Sequence, residues 1–413
     1  MSKARKFADA SRISDALTLP AGDTASRPAS AVVGSQRFNT TTGSIEFYNG
    51  TVWVSTNLIP VINSVTGTIY AGAASNLTLS VTNSTDIVTV RFSEGGTTVA
   101  DVTNVAISAG SGTVAVPVAV YGQTIGDTIS VSIFNQDGTP SSNAINKTVA
   151  GLPTGGTITT SGAYRIHTFN SSSSFVVPAN VSLSNVEYLV VAAGGGGGLP
   201  PGNPTYQYQG GGGAGGYRSS VVGEPSGGGS SAESRLSLTA NSYTVTIGAG
   251  GSVRSQGGNS VFGSITSIGG GGGASGDSAS YVGLPTTGGS GGGGANTNPW
   301  NGTNTNAAGA AGTAGQGYAG GSGFTSGSAA GNGGGGAGGA GAGGSSGGNA
   351  SKAGGVGVSS SITGSAVTRA AGGLGVNDGN LGPVAAGGAN TGTGGSSLAT
   401  GGSGVVIVRY QLA

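Results

Sequence analysis

Apolar and polar residues alternate in short segments between residues 58 and 150. The alternation has a period of two in residues 87–92, 114–120 and 129–133, and further strand candidates surround residues 77–81 and 102–107. Turn signals such as Glu94-Gly95-Gly96 separate them at a spacing of about ten residues. Six or seven such strands predict an immunoglobulin-like β-sandwich over residues 57–151, in which Pro117 marks an edge strand or a bulge.

Three further strand candidates, joined by tight turns, precede the sandwich. They cover residues 36–39, 44–48 and 51–54. So small a meander needs a partner surface to bury Phe38, Phe47 and Trp53. Two interpretations stay open, an aromatic mini-core within one subunit and a contact between subunits. Residues 1–16 predict one short helix before Pro20.

Valine, isoleucine and aromatic residues also frame the last part of the chain. Residues 186–191 lead directly into a glycine run, and residues 405–410 follow the last one. Residues 243–247 and 260–265 lie between them. The composition of all four segments predicts β-strands.

Glycine dominates the sequence between these strands. Of the 90 glycines only 14 precede residue 154, and the others cluster in runs such as 194–198, 269–273, 291–294 and 333–336. Such a segment has too few side chains for a conventional core, and the irregular spacing of its glycines excludes collagen. Glycine runs can instead adopt an extended left-handed helix with three residues per turn, here called polyglycine II. The N–H and C=O groups of such helices must pair with neighbouring runs.

Low charge favours packing of the glycine-rich part over disorder. Between residues 255 and 404 the only charged residues are Asp277, Lys352, Arg369 and Asp378, whereas solvated disordered segments are usually richly charged. We therefore predict a β-framed bundle of polyglycine helices over residues 152–413 and an all-β chain, which begins with a hairpin meander over residues 1–56.

Composition also bounds the partners of the protein. The net charge is +1 and charged residues make up 7%, so we expect no nucleic-acid binding. The chain has no cysteine, which excludes disulfides and thiolate chemistry. No apolar run reaches the 18 or so residues that cross a bilayer, and the first residues lack an apolar signal core. We expect a chain that is neither inserted in a membrane nor exported by the usual signal.

Candidate catalytic residues are few and scattered. The single histidine, His167, lies in an alternating strand, where a histidine is usually structural. Residues 336–341 match a dinucleotide-binding fingerprint in letters, but no predicted strand, helix or acidic residue accompanies them. No two of the carboxylates Glu187, Glu224, Glu233, Asp277 and Asp378 are placed together as a glycosidase needs. We expect no enzyme activity, no cofactor and no metal site.

The segments between glycine runs carry the more informative side chains. Residues 199–209, 278–287 and 295–301 interrupt the glycines with proline, amide and aromatic residues. If the runs pack side by side, these segments become turns at the ends of the bundle, where recognition usually occurs. The candidate receptor-binding residues are Tyr206, Tyr208, Tyr281 and Trp300. The alternative is that these rings only cap the glycine lattice against water.

Two parts of the chain resemble known phage proteins. One segment is similar to a stretch common in structural proteins of tailed phages; it comprises residues 17–28, 37–43 and 48–53. The last 252 residues, 162–413, resemble glycine-rich phage fibre proteins, and the matching words are residues 188–192, 210–218, 359–364 and 401–410.

The resemblance implies a virion component, assembled in the host cytoplasm and exposed on the particle. Tail-fibre adhesins of some T-even-like phages stack polyglycine helices and bind the host receptor with the connecting loops. This chain departs from those adhesins by carrying its own meander and sandwich. We predict that residues 1–56 attach to other virion proteins or to sister chains, that the sandwich is a spacer, and that the glycine-rich part meets a host surface glycan or outer-membrane protein. We expect a homotrimer, since symmetry closes unpaired strand edges. A capsid decoration or vertex fibre, a depolymerase and a non-viral glycine-rich matrix protein are the alternatives.

Overall fold

A computed structural model describes most of the chain. The described residues are 19–41, 44–51, 53–56, 59–84, 86–136, 138–199, 208–276, 282–297, 305–323, 330–344, 351–376 and 385–411. The predicted helix over residues 1–16 therefore lies outside them. The chain divides into two compact units, Met1–Ala150 and Gly151–Leu412. The prediction of an all-β fold is confirmed.

The first unit begins with a four-stranded meander. Its strands are β1 (Ala21–Gly22), β2 (Gln36–Asn39), β3 (Ser44–Tyr48) and β4 (Trp53–Ser55), in that order across the sheet. One face is apolar and partly exposed: Phe38 and Ile45 form a cross-strand pair, and Phe47 follows on β3. Because side chains alternate along a strand, the residues between them point to the opposite face.

That opposite face of the meander is buried and polar. Glu46 is fully buried, forms an ion pair with Arg27 and accepts a hydrogen bond from Asn39 Nδ2 at 2.6 Å. The hydrogen bond from Arg27 lowers the pKa of Glu46. Trp53 lies on this face, with the Arg37 guanidinium 5.9 Å from its ring centroid. Of the two interpretations left open above, a single mini-core of Phe38, Phe47 and Trp53 does not fit the strand register, which places Trp53 on the face opposite the two phenylalanines.

Seven strands form the sandwich that follows. The three-stranded sheet has the order β5-β6-β9, the four-stranded sheet has the order β11-β10-β7-β8, and both are antiparallel. The strands are β5 (Val61–Thr66), β6 (Asn76–Thr82), β7 (Ile87–Glu94), β8 (Thr97–Ala106), β9 (Ser111–Ala115), β10 (Thr128–Asn135) and β11 (Ile145–Thr148). Inward-facing residues of the two sheets, such as Leu79, Phe92 and Val131, make one continuous core.

The predicted strand over residues 114–120 is wrong in its second half. Strand β9 ends at Ala115, and a short helix α1 occupies Val118–Tyr121. Pro117 stands just before the helix with extended backbone angles and cannot donate to a sheet ladder. The alternation of valines through this segment therefore reflects burial of Val114, Val116 and Val120 in one core and not a continuous strand.

The second unit opens and closes with one large antiparallel sheet. Its strands are β12 (Thr157–Ser161), β13 (Tyr164–Phe169), β14 (Ser173–Val191), β16 (Tyr217–Ser219), β17 (Leu236–Thr246), β18 (Ser260–Phe262), β19 (Ile265–Ser267) and β27 (Val405–Gln411). The order is β12-β13-β27-β14-β17-β18-β19, and β16 also pairs with β14. The last strand thus lies between two strands from the start of the unit.

Small two- and three-stranded sheets complete this unit. They comprise β15 (Tyr208–Gln209), β20 (Ser275–Gly276), β21 (Val282–Gly283), β22 (Ala295–Thr297), β23 (Thr305–Ala307), β24 (Ala330–Gly331), β25 (Val358–Ser360) and β26 (Val367–Arg369). A single 3-10 turn at Gly227–Gly229 is the other regular element in the part of this unit that the structure describes.

The glycine runs between these strands form a lattice held by backbone hydrogen bonds. Along residues 194–198, successive N–H groups donate to three different segments, and the pattern repeats at every third residue. The acceptors are the carbonyl oxygens of Gly402, Gly213, Ser255, Ala399 and Gly210 in turn, all at 2.9 Å. A repeat of three is the signature of the polyglycine II helix, whose consecutive N–H groups point about 120° apart.

Segment 210–216 shows how the helices are arranged around one another. Its seven N–H groups donate at 2.7–3.0 Å to three neighbours, which are residues 268–274, 332–335 and 392–395. Its carbonyl groups accept from three more, which are residues 192–198, 290–293 and Gly373. Six neighbours around one helix form a hexagonal lattice, in which every backbone polar group of this central segment but the Gly215 carbonyl has a protein partner.

Glycine is required in this lattice because the backbones approach so closely. A Cβ atom on Gly212 would lie far inside the van der Waals radius of the Gly195 carbonyl oxygen, and one on Gly213 would do the same to Ser290. Backbone atoms cannot move aside as a flexible side chain can. The lattice therefore depends on the absence of side chains and not on unusual backbone angles.

We predict that Gly213→Ala destabilises the second unit by more than about 3 kcal/mol, since overpacking against a fixed backbone exceeds the usual cost of an added methyl group. Amide hydrogen exchange across residues 210–216 measures the loss. Gly339→Ala is the matched control, because its Cβ would meet only the Val356 Cγ2 atom at 3.2 Å in close range. Equal exchange rates in the two variants would contradict close backbone packing.

Candidate recognition site

The lattice has two different ends. At one, here called the sheet end, the helices continue into β14, β16 and β27, and Ala214, Ala337 and Ala370 pack against the apolar residues of these strands. At the other, here called the loop end, lie the flanks of six intervals that are outside the described residues. The intervals are residues 200–207, 277–281, 298–304, 324–329, 345–350 and 377–384.

Backbone pairing brings the flanks of these six intervals together. Strand β20 pairs with both β15 and β21, and β22 pairs with both β23 and β24. Isolated bridges join Gln209 to Val376 and Lys352 to Gly375. The two small sheets also contact each other through β15, β20 and β22. Six sequence segments of different length and composition therefore start from one end of one lattice.

Of the four aromatic candidates, Tyr208 alone is among the described residues. It lies half-buried in β15, opposite Gly276, at the flank of the first interval. Tyr206, Tyr281 and Trp300 lie outside the described residues, one in each of the first three intervals. The structure thus brings together the flanks of the segments that carry all four.

A layer of four buried polar residues lies beneath the loop end. We call Gln209, Ser275, Asn332 and Ser397, each with no exposed surface, the polar layer. The hydroxyl of Ser397 donates to the Gln209 carbonyl at 2.7 Å and accepts from the N–H of Val376 at 3.1 Å. These bonds fix the flanks of two intervals to each other.

The other members of the polar layer hold further flanks. Ser275 Oγ accepts from the N–H of Leu199 at 2.9 Å, and Asn332 Nδ2 donates to the Gly294 carbonyl at 3.2 Å. The side-chain amide of Gln209 is buried without a hydrogen-bond partner, which costs free energy. This layer was not predicted from the sequence. The only signal for it in the sequence is that four polar residues interrupt glycine-rich segments.

His167 lies at the sheet end and has a structural environment. Its Nδ1 donates to the Gly155 carbonyl at 2.8 Å, so Nε2 is the acceptor for the Tyr410 hydroxyl at 3.0 Å. Phe175 meets the imidazole edge-on, with ring centroids 4.9 Å apart. Burial lowers the pKa of His167 to about 4, so the ring is neutral in the fold at neutral pH.

The described carboxylates of the second unit are engaged in similar contacts. Glu187 accepts from Arg409 Nε at 2.6 Å across the β14–β27 pair. Glu233 accepts from Arg218 and from the Tyr188 hydroxyl, each at 2.7 Å. Glu224 accepts from both the N–H and the hydroxyl of Ser361, at 2.8 and 2.6 Å. These bonds join the strands and hairpins of the sheet end.

The described residues offer no further candidate of two other kinds. No group of three or more acidic or histidine side chains there has the spacing of a metal site. None of the described helices has the length and hydropathy needed to cross a membrane.

Comparison with known proteins gives one match. A family model described as a glycine-rich domain matches residues 167–411, which is more than half of the chain. Searches of curated proteins and of solved structures found no similar protein.

Acid is expected to weaken the second unit through His167. The folded pKa lies near 4 and the ordinary value is 6.5, so the unfolded chain binds a proton first as the pH falls. Stability is full above about pH 6.5 and falls by about 3 kcal/mol on the way to pH 4. Urea unfolding followed by hydrogen exchange of β27 measures the change.

His167→Gln is the control for that titration, since it keeps a polar side chain and removes the ionisable ring. We expect its stability to be lower at pH 7 and to vary less between pH 6.5 and 4. An identical pH profile for both proteins would show that His167 does not carry the effect.

Two substitutions in the polar layer are expected to have opposite effects. Ser397→Ala removes one of two donors to the buried Gln209 carbonyl, which keeps the N–H of Val376 at 3.0 Å, and should cost about 0.5–1.5 kcal/mol. Gln209→Met removes an unpartnered amide at similar volume and should be neutral or stabilising. Urea unfolding measures both, with Ser359→Ala as the exposed-hydroxyl control. A loss of stability in Gln209→Met would mean that its amide has a partner.

Proposed function

Since the chain belongs to the glycine-rich domain family, we propose that it is a structural protein of a tailed-phage virion, a tail fibre or adhesin that attaches the particle to the host cell. The observation that carries this proposal is the convergence, at the loop end, of the flanks of six connecting segments. A rigid scaffold that gathers variable loops on one surface is the usual architecture of a recognition site.

The loop end would bind by its aromatic residues. Tyr206, Tyr208, Tyr281 and Trp300 belong to the segments that start there, and aromatic side chains anchor such surfaces through large contact area. The partner we propose is a surface glycan or an outer-membrane protein. Each contact is weak, and many copies on one particle raise the overall affinity through effective concentration.

The first unit would attach the protein to the virion. The exposed apolar face of the meander, formed by Phe38, Ile45 and Phe47, suits a contact with other virion proteins or with sister chains. We propose a homotrimer, in which these faces meet around the symmetry axis. The chain would be assembled in the host cytoplasm and exposed on the finished particle, and we propose no enzymatic role for it.

A second candidate is a capsid decoration or vertex fibre with a purely structural role. In that role the apolar face of the meander would attach the protein to the capsid, and the lattice would form a rigid projection. The location of the protein on the particle, determined by antibody labelling in electron microscopy, separates a tail protein from a capsid protein.

The adhesin proposal predicts that the purified full-length protein adsorbs to the bacteria on which its virion multiplies. Trp300→Ala combined with Tyr206→Ala should reduce adsorption about tenfold, as expected for the loss of aromatic anchors. Fluorescently labelled protein and flow cytometry measure the bound fraction.

Val222→Ala is the matched control for adsorption, because Val222 is an exposed apolar residue of the same unit at the sheet end. It should adsorb as the unchanged protein does. A protein that folds, labels the capsid and does not adsorb would favour the structural candidate. Release of sugars from host polysaccharide would instead indicate a depolymerase.

A further inference from the structure

The sandwich carries a groove that the proposed function does not use. It has a volume of about 380 Å³ and lies on the outer face of the four-stranded sheet. The lining includes Ile87, Thr89, Arg91, Thr103, Asn104 and Phe134. Ligand pockets commonly range from about 300 to 1,000 Å³, so the groove has room for a small ligand or for one unit of a polymer.

The arginine that lines the groove is paired with a carboxylate. Arg91 donates from Nε and Nη2 to the two carboxylate oxygens of Asp101, at 2.8 and 2.7 Å. A two-pronged pair of this kind fixes the guanidinium in one plane. Asp101 neutralises the charge of Arg91, so this pair offers no free cation to an anionic ligand. It also offers no free carboxylate to a cationic ligand.

The same arginine fixes the orientation of the aromatic wall. Its Cζ atom lies 4.5 Å from the centroid of the Phe134 ring, within the range of a cation–π contact. Phe134 is half-buried and stands opposite Thr89 on the neighbouring strand. The groove thus has one aromatic side chain, with the arginine over one face of its ring.

A bulge in the sheet adds polar side chains to the groove. The β7–β8 register shifts between Val88 and Val90, so that Thr103 and Asn104 both stand opposite Thr89. Asn104 has a φ of +59°, a conformation that costs free energy for most residues and that asparagine tolerates. Bulges of this kind redirect side chains, often next to functional sites. Here two hydroxyls and one amide adjoin the aromatic wall.

We propose that this groove binds a sugar ring of a neutral polysaccharide. A sugar presents C–H groups that pack on an aromatic ring and hydroxyls that bond to threonine, asparagine and arginine side chains. The groove supplies both kinds of group without net charge from its ion pair. The sandwich is then a second binding module of the chain, separate from the loop end.

The test uses the full-length protein and immobilised neutral and acidic polysaccharides, namely dextran, mannan, galactan, polygalacturonate and heparin. Biolayer interferometry should detect binding to at least one neutral polymer. Phe134→Leu, which removes the ring and keeps an apolar side chain, should weaken that binding at least tenfold. Asn104→Gly keeps the positive φ, removes the amide and should weaken binding several-fold.

Ala109→Gly is the matched control, since Ala109 also has a positive φ in the same unit and does not line the groove. It should bind as the unchanged protein does, and circular dichroism should show all variants folded. The proposal is overturned if no neutral polymer binds, if only the acidic polymers bind, or if Asn104→Gly and Phe134→Leu bind as well as Ala109→Gly. If Phe134→Leu does not fold, Asn104→Gly alone decides the result.

This outcome is independent of the adhesin test. A protein with altered Trp300 and Tyr206 keeps the sandwich groove, and a protein with altered Asn104 keeps the loop end. Loss of polysaccharide binding without loss of cell adsorption, or the reverse, therefore assigns each activity to its own unit.

Discussion

The second unit depends on one interaction, the hydrogen bond between backbones of neighbouring polyglycine helices. In most domains the backbone pairs within a helix or sheet and side chains pack the core. Here the interior of the lattice has hardly any side chains, and segment 210–216 is surrounded by six others through N–H···O=C bonds of 2.7–3.0 Å. Burial of many such groups is tolerated only because nearly all of them are paired. The close approach of the backbones is the condition for that pairing.

The large sheet holds the helices of the lattice at one end, and the polar layer holds the flanks of the connecting segments at the other. At the sheet end, β14 and β27 pair with each other and present apolar residues to the lattice alanines, which supplies ordinary hydrophobic burial. The ion pair between Glu187 and Arg409 spans the same two strands. At the loop end the described apolar cluster consists of three alanines, Ala274, Ala295 and Ala307. Ser275 and Ser397 there bond to the backbone flanks of the connecting segments.

Much of this architecture could be predicted from the sequence, because it rests on local patterns. Strands β7, β10 and β27 could be predicted from alternation or from valine-rich composition. The polyglycine II helix, with three residues per turn, could be predicted from the glycine runs. The hydrogen-bond partner of each glycine could not be predicted. The sequence around Gly195, for example, does not indicate that its N–H donates to Gly213 and not to Gly271. The polar layer was missed for the same reason, since its residues meet only after the lattice has formed. The strand prediction over residues 114–120 is wrong because the alternation of valines continues past Pro117, where the strand has already ended.

The repeat of three in the lattice has an evolutionary consequence. Each glycine run has a phase, which is the rotational position of its N–H groups around the helix axis. Adding or deleting three residues keeps every later N–H pointed at the same neighbouring helix. A change of one or two residues rotates all of them toward the wrong one. The flanks of two connecting segments pair directly as β-strands, Gly276 with Val282 and Thr297 with Thr305. Residues added between Gly276 and Val282, or between Thr297 and Thr305, therefore leave the phase of the runs unchanged, whereas a run itself keeps its phase only if it changes by whole turns.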